Sequence, residues 1–204
     1  VNRRTAERIG KIYEFYKKHN WHYLQFIACL DPLGEGHQKT EYALSPQQYG
    51  IFLTQLFELW YRDWRKNRQP YIRQFENYIG LLKGYYPEAC DQRGQCGIQY
   101  VTEADGGVYP CDFYVLDKYR LGNFNENTLE EIDRKRHEIG FVKRSHRLDP
   151  QCRECPYFSL CRGGCRRSRD TDLPGGYDRN YFCEGYKIFF KNCLEKMKDV
   201  AGTV

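Results

Sequence analysis

The chain of 204 residues is 41% hydrophobic and 29% charged, and its formal net charge is +5. This balance excludes a disordered chain and an integral membrane protein, and the length allows one substantial core and a smaller second module. These residues contain no run of eighteen apolar residues and no export leader, so we expect a soluble, unsecreted, cytoplasmic protein with no membrane partner.

The first 86 residues alternate helix and strand as in a parallel α/β layer or barrel. Apolar residues at helical spacing predict a helix over residues 5–19, and the apolar run His22–Leu30 predicts a buried strand. Turn-forming residues fill Asp31–Leu44, at the carboxyl end of that strand, where α/β folds place ligands. Ser45-Pro46-Gln47-Gln48 predicts a helix start with a serine cap, and a further helix is predicted over residues 71–85.

We place a module boundary near Pro87 and predict an irregular α+β module over residues 87–204. Strand-like segments Ile98–Glu103 and Val108–Val115 flank Asp105-Gly106-Gly107, which is a hairpin turn signal. The remaining predicted elements are a short helix over Asn127–Arg136, an irregular segment over 148–184 and a closing helix over Tyr186–Lys198.

The most informative feature is a group of eight cysteines in a fixed order of spacings. They are Cys90, Cys96, Cys111, Cys152, Cys155, Cys161, Cys165 and Cys183. Eight thiolates make two complete four-ligand sets, the number that two cubane iron–sulfur clusters need. Because the chain is large and shows no export signal, reduced thiols that hold metal fit better than disulfides.

A zinc-binding interaction module is the alternative from a different class of protein. Zinc ribbons place two Cys-x2-Cys pairs roughly 15–20 residues apart. Here Cys152 and Cys155 are followed after five residues by Cys161 and then by Cys165. One zinc ion would also leave four of the eight thiols without a role.

A basic segment overlaps the cysteines. Between Arg134 and Arg169 there are eleven Lys or Arg residues against three acidic residues, a pattern that also occurs in nucleic-acid binding. Because thiolate-ligated clusters are anionic, we interpret these cations as charge compensation near the clusters. Nucleic-acid binding is the lesser alternative, and we expect no nucleic-acid partner.

The ordered cysteines and Gly106 resemble the SPASM domain, found after the barrel of radical S-adenosylmethionine (SAM) enzymes that modify peptides and proteins. A closer resemblance, to the anaerobic sulfatase-maturating enzymes, is carried by Cys96-Gly97, by DGGVYPCDFY from Asp105, by CRGGCR from Cys161 and by Tyr181-Phe182-Cys183. QFIACL, from Gln25 to Leu30, also looks like the late barrel strand that meets SAM. The resemblance implies the C-terminal end of a partial TIM-type barrel over residues 1–86 and a SPASM domain over 87–204.

The same resemblance implies two auxiliary [4Fe–4S] clusters with crossed ligands. One cluster would be held by Cys90, Cys96, Cys111 and Cys165, and the other by Cys152, Cys155, Cys161 and Cys183. The spacing of the cysteines alone does not give this assignment.

One motif of the family is absent from these 204 residues. Radical SAM enzymes hold their catalytic cluster with Cys-x3-Cys-x2-Cys, but Cys161-x3-Cys165 is followed by Ser168 where the third cysteine would stand. We therefore expect SAM and a third [4Fe–4S] cluster to bind in an N-terminal half outside this sequence. This portion alone should not start the radical.

The resemblance implies an oxidoreductase that turns a Cys or Ser of a sulfatase into Cα-formylglycine. In that reaction a SAM-derived radical removes a β-hydrogen, a base takes the thiol or hydroxyl proton, and one electron leaves through iron–sulfur centres. Asp112, directly after Cys111, matches the base of the family, and a carboxylate beside an anionic cluster should have a raised pKa. Leu30 matches the residue that meets the adenine of SAM. The alternatives are a turn cap or an arginine pair for Asp112, and ordinary strand packing for Leu30.

The implied partners are a sulfatase polypeptide of the Cys/Ser-x-Pro/Ala-x-Arg type and an electron donor protein. Another SPASM enzyme, which forms a thioether or carbon–carbon crosslink in a short peptide, is the alternative within the same group. The sequence Asp112-Phe113-Tyr114 after Cys111 favours the sulfatase branch.

Overall fold

The computed structural model describes residues 1–169 and 179–202, a mixed α/β structure. The helices are Arg3–Glu7 (α1), Ile9–Lys18 (α2), Pro46–Trp64 (α3), Arg73–Leu82 (α4), Cys90–Arg93 (α5), Leu129–Ile139 (α6), Phe141–Arg144 (α7), Phe158–Cys161 (α8) and Cys183–Ala201 (α9). The strands are Tyr23–Leu24 (β1), Tyr71–Ile72 (β2), Val101–Thr102 (β3), Gly107–Tyr109 (β4) and Gly122–Asn123 (β5). Short 3-10 helices cover Asp112–Tyr114, Asp117–Tyr119, Pro150–Glu154 and Arg166–Ser168. Within the described ranges, no helix has the length and hydrophobicity that a membrane crossing requires.

The first predicted helix is divided in two. The side chain of Asn2 accepts a hydrogen bond from the backbone N–H of Thr5 and caps α1. Arg8 then leaves the helical conformation, with φ −111° and ψ 14°, before α2 begins at Ile9. The periodicity over residues 5–19 predicted helix correctly but not this break.

The predicted strand His22–Leu30 is correct only for its first part. β1 pairs in parallel with β2, with Tyr23 opposite Tyr71 and Leu24 opposite Ile72. β2 ends at Ile72 because α4 begins at the next residue, so residues 25–30 have no partner in β2 and lie outside the strand. The helix predicted over 71–85 was likewise wrong at its start, because its first two residues are β2.

The helix start predicted at Ser45 is confirmed. The side chain of Ser45 accepts a hydrogen bond from the backbone N–H of Gln48, and the Gln48 side chain accepts one from the N–H of Ser45. This reciprocal capping box satisfies two donors at the end of the helix. The apolar face of α3 then forms the centre of the main core.

The last helix packs into the main core. α9 packs along α3 and against α4, and the rings of Phe57, Phe75 and Phe189 lie with their centroids 5.0–6.0 Å apart. The helix starts three residues before the predicted Tyr186 and ends at Ala201, three residues after the predicted Lys198. One hydrophobic core therefore joins the beginning and the end of the chain.

The middle of the chain forms a small antiparallel sheet with the order β3-β4-β5. β3 and β4 pair around the turn predicted at Asp105-Gly106-Gly107, with Val101 opposite Tyr109. The strand predicted over Val108–Val115 was too long, because Pro110 has no backbone N–H to donate and a 3-10 helix begins at Asp112.

α6 packs on this sheet, so its Ile132 joins Val108 and Leu121 in a small second core. Thr128 and Glu131 form a capping box at its start, and α6 runs three residues beyond the predicted end at Arg136. The predicted irregular segment 148–184 contains short helical turns, and its residues 170–178 lie outside the described part of the chain.

Candidate metal centres

All ten cysteines are free thiols, and eight of them fall into two separate groups. The first group, set one, consists of Cys90, Cys96, Cys111 and Cys165, and all four line one cavity of about 560 Å³. Cys90 is the first residue of α5 and Cys96 follows that helix. Cys111 follows β4, and Cys165 directly precedes the 3-10 helix at Arg166. Four loops and helix ends therefore bring these thiols to one cavity wall.

Electrostatic effects within set one show that its thiols are neighbours. Burial raises the pKa of Cys165 to about 12, and the nearby thiols of Cys90 and Cys96 also raise it. Burial raises the pKa of Cys111 as well, and both Asp112 and Cys165 add to the increase. Such groups bind metal as thiolates, so metal binding would have to release their protons.

The second group, set two, consists of Cys152, Cys155, Cys161 and Cys183. The pKa of Cys161 is raised to about 12, mainly by burial and in part by the other three thiols of the set. Burial also raises the pKa of Cys152, and the largest contribution from another group comes from Cys183. Set two is built from a 3-10 turn, the end of α8 and the first residue of α9.

A left-handed turn sends Cys161 and Cys165 to different sets. The three residues Arg162, Gly163 and Gly164 have φ values of +49°, +83° and +67°. Left-handed residues are rare and favour glycine, and three in succession reverse the path of the chain. Cys161 and Cys165 are only four positions apart in the sequence, yet Cys161 lies with set two and Cys165 with set one.

The turn is held from the C-terminal side by Asn180. Its side-chain amide donates a hydrogen bond of 3.1 Å to the carbonyl of Gly163, and its Oδ1 accepts one of 2.8 Å from the N–H of Phe182. These bonds place Cys183, the next residue, beside the turn.

The donor set fits iron–sulfur clusters in number and in type. Within residues 1–169 and 179–202, no three Cys, His, Asp or Glu side chains are close enough to hold one metal ion. A four-iron cube binds each of its four thiolates at a different corner, so its ligands need not converge on one point.

The other two predicted site residues lie on the same cavity as set one. Asp112 is exposed, and its Oδ1 accepts hydrogen bonds of 3.1 Å from the thiol of Cys111 and from the N–H of Phe113. Leu30 is half-buried and lines the cavity. The structure therefore brings Leu30, Asp112 and the four thiols of set one to one cavity, although the chain separates them widely.

Sequence reasoning missed a polar wall of the same cavity. Arg73 at the start of α4 donates a hydrogen bond of 2.9 Å to Glu88 and one of 3.4 Å to Gln25. All three residues line the cavity. They come from three distant segments, and their spacing in the sequence carries no signal.

It also missed the structural roles of the arginines after Cys165. Arg167 is buried and donates a hydrogen bond to the carbonyl of Asp31, so it ties the loop after residue 30 to set one. The side chain of Asp31 in turn accepts hydrogen bonds from the N–H groups of Gln38 and Thr40. The available signal was the clustering of arginines after Cys165, which we interpreted only as charge.

The comparison with known families identifies part of the chain. Residues 87–156 match the SPASM model, described as an iron–sulfur cluster-binding domain. The matched range includes the first five of the eight cysteines, from Cys90 to Cys155.

The expected resemblance to the anaerobic sulfatase-maturating enzymes is also confirmed, over the whole of this chain. The chain is 41% identical over 204 residues to the cysteine-type anaerobic sulfatase-maturating enzyme of Clostridium novyi, covering 100% of this chain and 54% of the relative. It is 42% identical over 206 residues to the enzyme of the same name from Clostridium perfringens, with 100% and 55% covered. The solved structure "Native anSMEcpe with bound AdoMet and Kp18Cys peptide" superposes with a TM-score of 0.92 at 40% identity, covering 100% of this chain and 56% of that one. The chain thus spans about half the length of the relatives that it matches.

Proposed function

We propose that this chain is the C-terminal portion of a radical SAM enzyme that oxidises a Cys or Ser of a sulfatase to Cα-formylglycine. The observation that carries the proposal is the meeting of set one, Leu30 and Asp112 at one cavity, in a chain that resembles sulfatase-maturating enzymes throughout. A radical SAM enzyme needs its SAM, its substrate and its base at one place, and the cavity provides such a place.

In this proposal set one and set two each hold one [4Fe–4S] cluster. When bound, the clusters would accept or pass on the electron that the substrate loses. The left-handed turn at Arg162–Gly164 lies between Cys161 of set two and Cys165 of set one, which supports two separate clusters. The basic residues nearby would offset the negative charge of the cluster ligands.

Asp112 is the proposed base. Its carboxylate is exposed and lines the cavity, so it can reach a bound thiol or hydroxyl and take its proton. Leu30, which lines the same cavity, would contact the adenine of SAM. The remainder of the SAM site and the third [4Fe–4S] cluster would belong to the other half of the enzyme.

The cavity suits a polypeptide substrate of the Cys/Ser-x-Pro/Ala-x-Arg type. Its lining includes Ile27, Ile98 and Phe113, which are 52%, 63% and 40% exposed and offer an apolar surface to a peptide. The related solved structure contains a bound Kp18Cys peptide together with AdoMet, which supports this proposal. We further propose an electron donor protein as a second partner and a cytoplasmic location.

The first module is proposed to be the end of a partial barrel, with residues 1–86 on one side of the boundary and 87–204 on the other. β1 and β2 are parallel, as barrel strands are. Further along the segment that follows β1, the backbone nitrogen of Val1 donates to the carbonyl of Ile27, and the carbonyl of Val1 accepts from the N–H of Cys29. This is the hydrogen-bond pattern of neighbouring parallel strands.

Iron and sulfide analysis of anaerobically purified protein tests the cluster proposal. Two four-iron clusters require about eight irons per chain, with brown colour and charge-transfer absorbance. Colourless, zinc-loaded protein that is correctly folded would instead support a zinc-binding interaction module and exclude the enzyme proposed here.

The reaction is tested in the full-length enzyme with a Cys-x-Pro-x-Arg peptide and mass spectrometry. Formylglycine formation replaces the sulfur of the peptide by an aldehyde oxygen. A crosslinked product would identify another kind of SPASM enzyme, and the sulfatase assignment would be wrong.

A further inference from the structure

Arg169 is a buried cation between the two sets of thiols. Its side chain is 4% exposed, and it follows the 3-10 helix that begins one residue after Cys165. Its Nη1 donates a hydrogen bond of 2.6 Å to the carbonyl of Arg147. Its Nη2 donates to the carbonyls of Gly94 and Ser145, at 3.2 and 2.8 Å.

These acceptors belong to the segments that carry both sets. On the side of set one, Gly94 lies between Cys90 and Cys96, and the hydroxyl of Ser145 accepts a hydrogen bond of 2.9 Å from the N–H of Cys96. On the side of set two, Arg147 precedes Asp149, whose carbonyl accepts a hydrogen bond from the N–H of Cys152. The guanidinium group therefore fixes the two segments to each other.

The same hydrogen bonds hold the positive charge of Arg169 against both segments. On the side of Cys96 the guanidinium group contacts the carbonyls of Gly94 and Ser145. On the side of Cys152 it contacts the carbonyl of Arg147.

Arg166 is equally buried but faces set one. It donates a hydrogen bond of 2.8 Å to the carbonyl of Phe141, and its guanidinium lies over the rings of Tyr114 and Phe141. These two rings belong to the small core cluster against which Cys96 and Cys111 pack. The two arginines therefore differ in the sets that they contact.

We propose that Arg169 is a positioning residue whose buried charge raises the reduction potentials of both clusters, whereas Arg166 raises only that of the set-one cluster. The inference rests on the proposed function. Reduction adds an electron to an already anionic site, and a nearby buried cation stabilises the added charge more effectively than an exposed one does.

The experiment is an anaerobic redox titration of the full-length enzyme, followed by electron paramagnetic resonance. Arg169→Gln removes the charge but can still donate to a carbonyl, whereas Arg169→Lys keeps the charge. We expect Arg169→Gln to lower both auxiliary midpoint potentials, Arg169→Lys to change them much less, and Arg166→Gln to lower the set-one potential alone. Arg153→Gln is the matched control, because Arg153 stands between two set-two ligands but is exposed to water.

The outcomes separate the two proposals. If the unmutated enzyme contains no auxiliary clusters, the proposed function fails and this inference fails with it. If both clusters are present and Arg169→Gln shifts neither potential, or only one, the inference is overturned and the proposed function stands. If Arg169→Gln does not load its clusters, the test passes to Arg169→Lys, which keeps the positive charge. Lowered cluster potentials in Arg169→Lys would show that the hydrogen bonds of Arg169, and not its charge, set the potentials, and the proposal would be overturned.

Discussion

The α-carbon of Gly94 lies against the backbone carbonyl of Arg162. A β-carbon added at Gly94 would be 2.0 Å from that oxygen, and Gly94 itself has a φ of +70°. Gly94 lies between two ligands of set one, and Arg162 belongs to the turn that separates Cys161 from Cys165. The segments that carry the two sets of thiols therefore touch at a point where no side chain fits.

We expect Gly94→Ala to disrupt both metal sites. An alanine in the left-handed conformation destabilises the folded state by about 1–2 kcal/mol. In addition, the clash of its β-carbon with the Arg162 carbonyl must displace one of the two segments that carry the proposed ligands. The measurements are the iron content after anaerobic reconstitution and the midpoint of thermal unfolding.

Gly140→Ala is a matched control for this variant. Gly140 has a φ of +60°, but an added β-carbon would meet no atom within 4 Å. Gly140→Ala should lower the free energy of unfolding by the same conformational cost, and its iron content should be unchanged. Equal iron contents in the two alanine variants would show that the contact with Arg162 is unimportant for the sites.

Replacing Cys161 or Cys165 by serine tests the crossed assignment of ligands. Because the left-handed turn sends them to different sets, we expect Cys161→Ser to damage the set-two cluster and Cys165→Ser the set-one cluster. Each variant should retain roughly four of eight irons if, as proposed, each set of four thiolates holds one cube. Electron paramagnetic resonance should show a different surviving signal in each variant.

Cys193→Ala is the control for loss of a thiol. Cys193 is buried in the main core and belongs to neither set, so it should be replaceable without loss of iron. The same surviving signal in Cys161→Ser and Cys165→Ser would show that both thiols serve one cluster, and the assignment would be wrong.

The sequence predicted elements whose signals are local. The capping residues Ser45 and Gln48 predicted the start of α3 because both partners of the capping box lie within one turn. The strand over His22–Leu30 was wrong beyond Leu24 because a strand ends where its partner ends, and the partner is 48 residues away. The apolar residues Phe26, Ile27 and Ala28 line the cavity instead of joining β1.

The candidate site likewise has features that the sequence predicted and features that it did not. The number and order of the cysteines indicated two four-ligand sets, but the separation of Cys161 from Cys165 depends on a non-glycine residue, Arg162, in a left-handed conformation. Arg169 reaches acceptors 75 and 24 residues away. Contacts of that kind are fixed by the tertiary structure and leave no periodicity in the sequence.

Asp31 should stabilise the loop that follows Leu30. Its carboxylate accepts hydrogen bonds from the N–H groups of Gln38 and Thr40 and from the Thr40 hydroxyl, at 2.7–3.0 Å. Hydrogen bonds to a charged group contribute about 1.5–3 kcal/mol. We therefore expect Asp31→Asn to speed amide hydrogen exchange at Gln38 and Thr40 by about tenfold or more, since tenfold corresponds to about 1.4 kcal/mol.

The effect of Asp31→Asn should not depend on pH near neutrality. Burial alone would raise the pKa of Asp31, but the hydrogen bonds from Thr40 and Gln38 outweigh it and hold the pKa below its usual 3.8. A lowered carboxyl pKa gives a contribution that is complete above the usual value and is lost only as the pH falls through the lowered one. The difference between variant and unmutated protein should thus be constant from about pH 6 to 8. Glu35→Gln, an exposed change in the same loop, should leave the exchange rates unchanged, and equal acceleration by both variants would contradict the role of Asp31.

Asp112→Asn tests the base in the full-length enzyme. The amide keeps an oxygen that can accept the hydrogen bond from the N–H of Phe113, so the 3-10 helix should persist, but it cannot take a proton. A positioned general base contributes about 10²–10⁴-fold. We expect formylglycine formation to fall by at least about 100-fold while the cleavage of SAM to 5′-deoxyadenosine continues.

The comparison of the two products makes this test specific. Asp117→Asn is the control, because Asp117 is also exposed and also begins a 3-10 helix, but does not line the cavity. It should leave both the peptide product and 5′-deoxyadenosine unchanged. If Asp112→Asn reduces both products together, its effect is on SAM binding or folding rather than on proton transfer. If it leaves formylglycine formation intact, another group takes the proton, and the carboxylate beside Cys111 has only the structural role of accepting hydrogen bonds at the start of the turn.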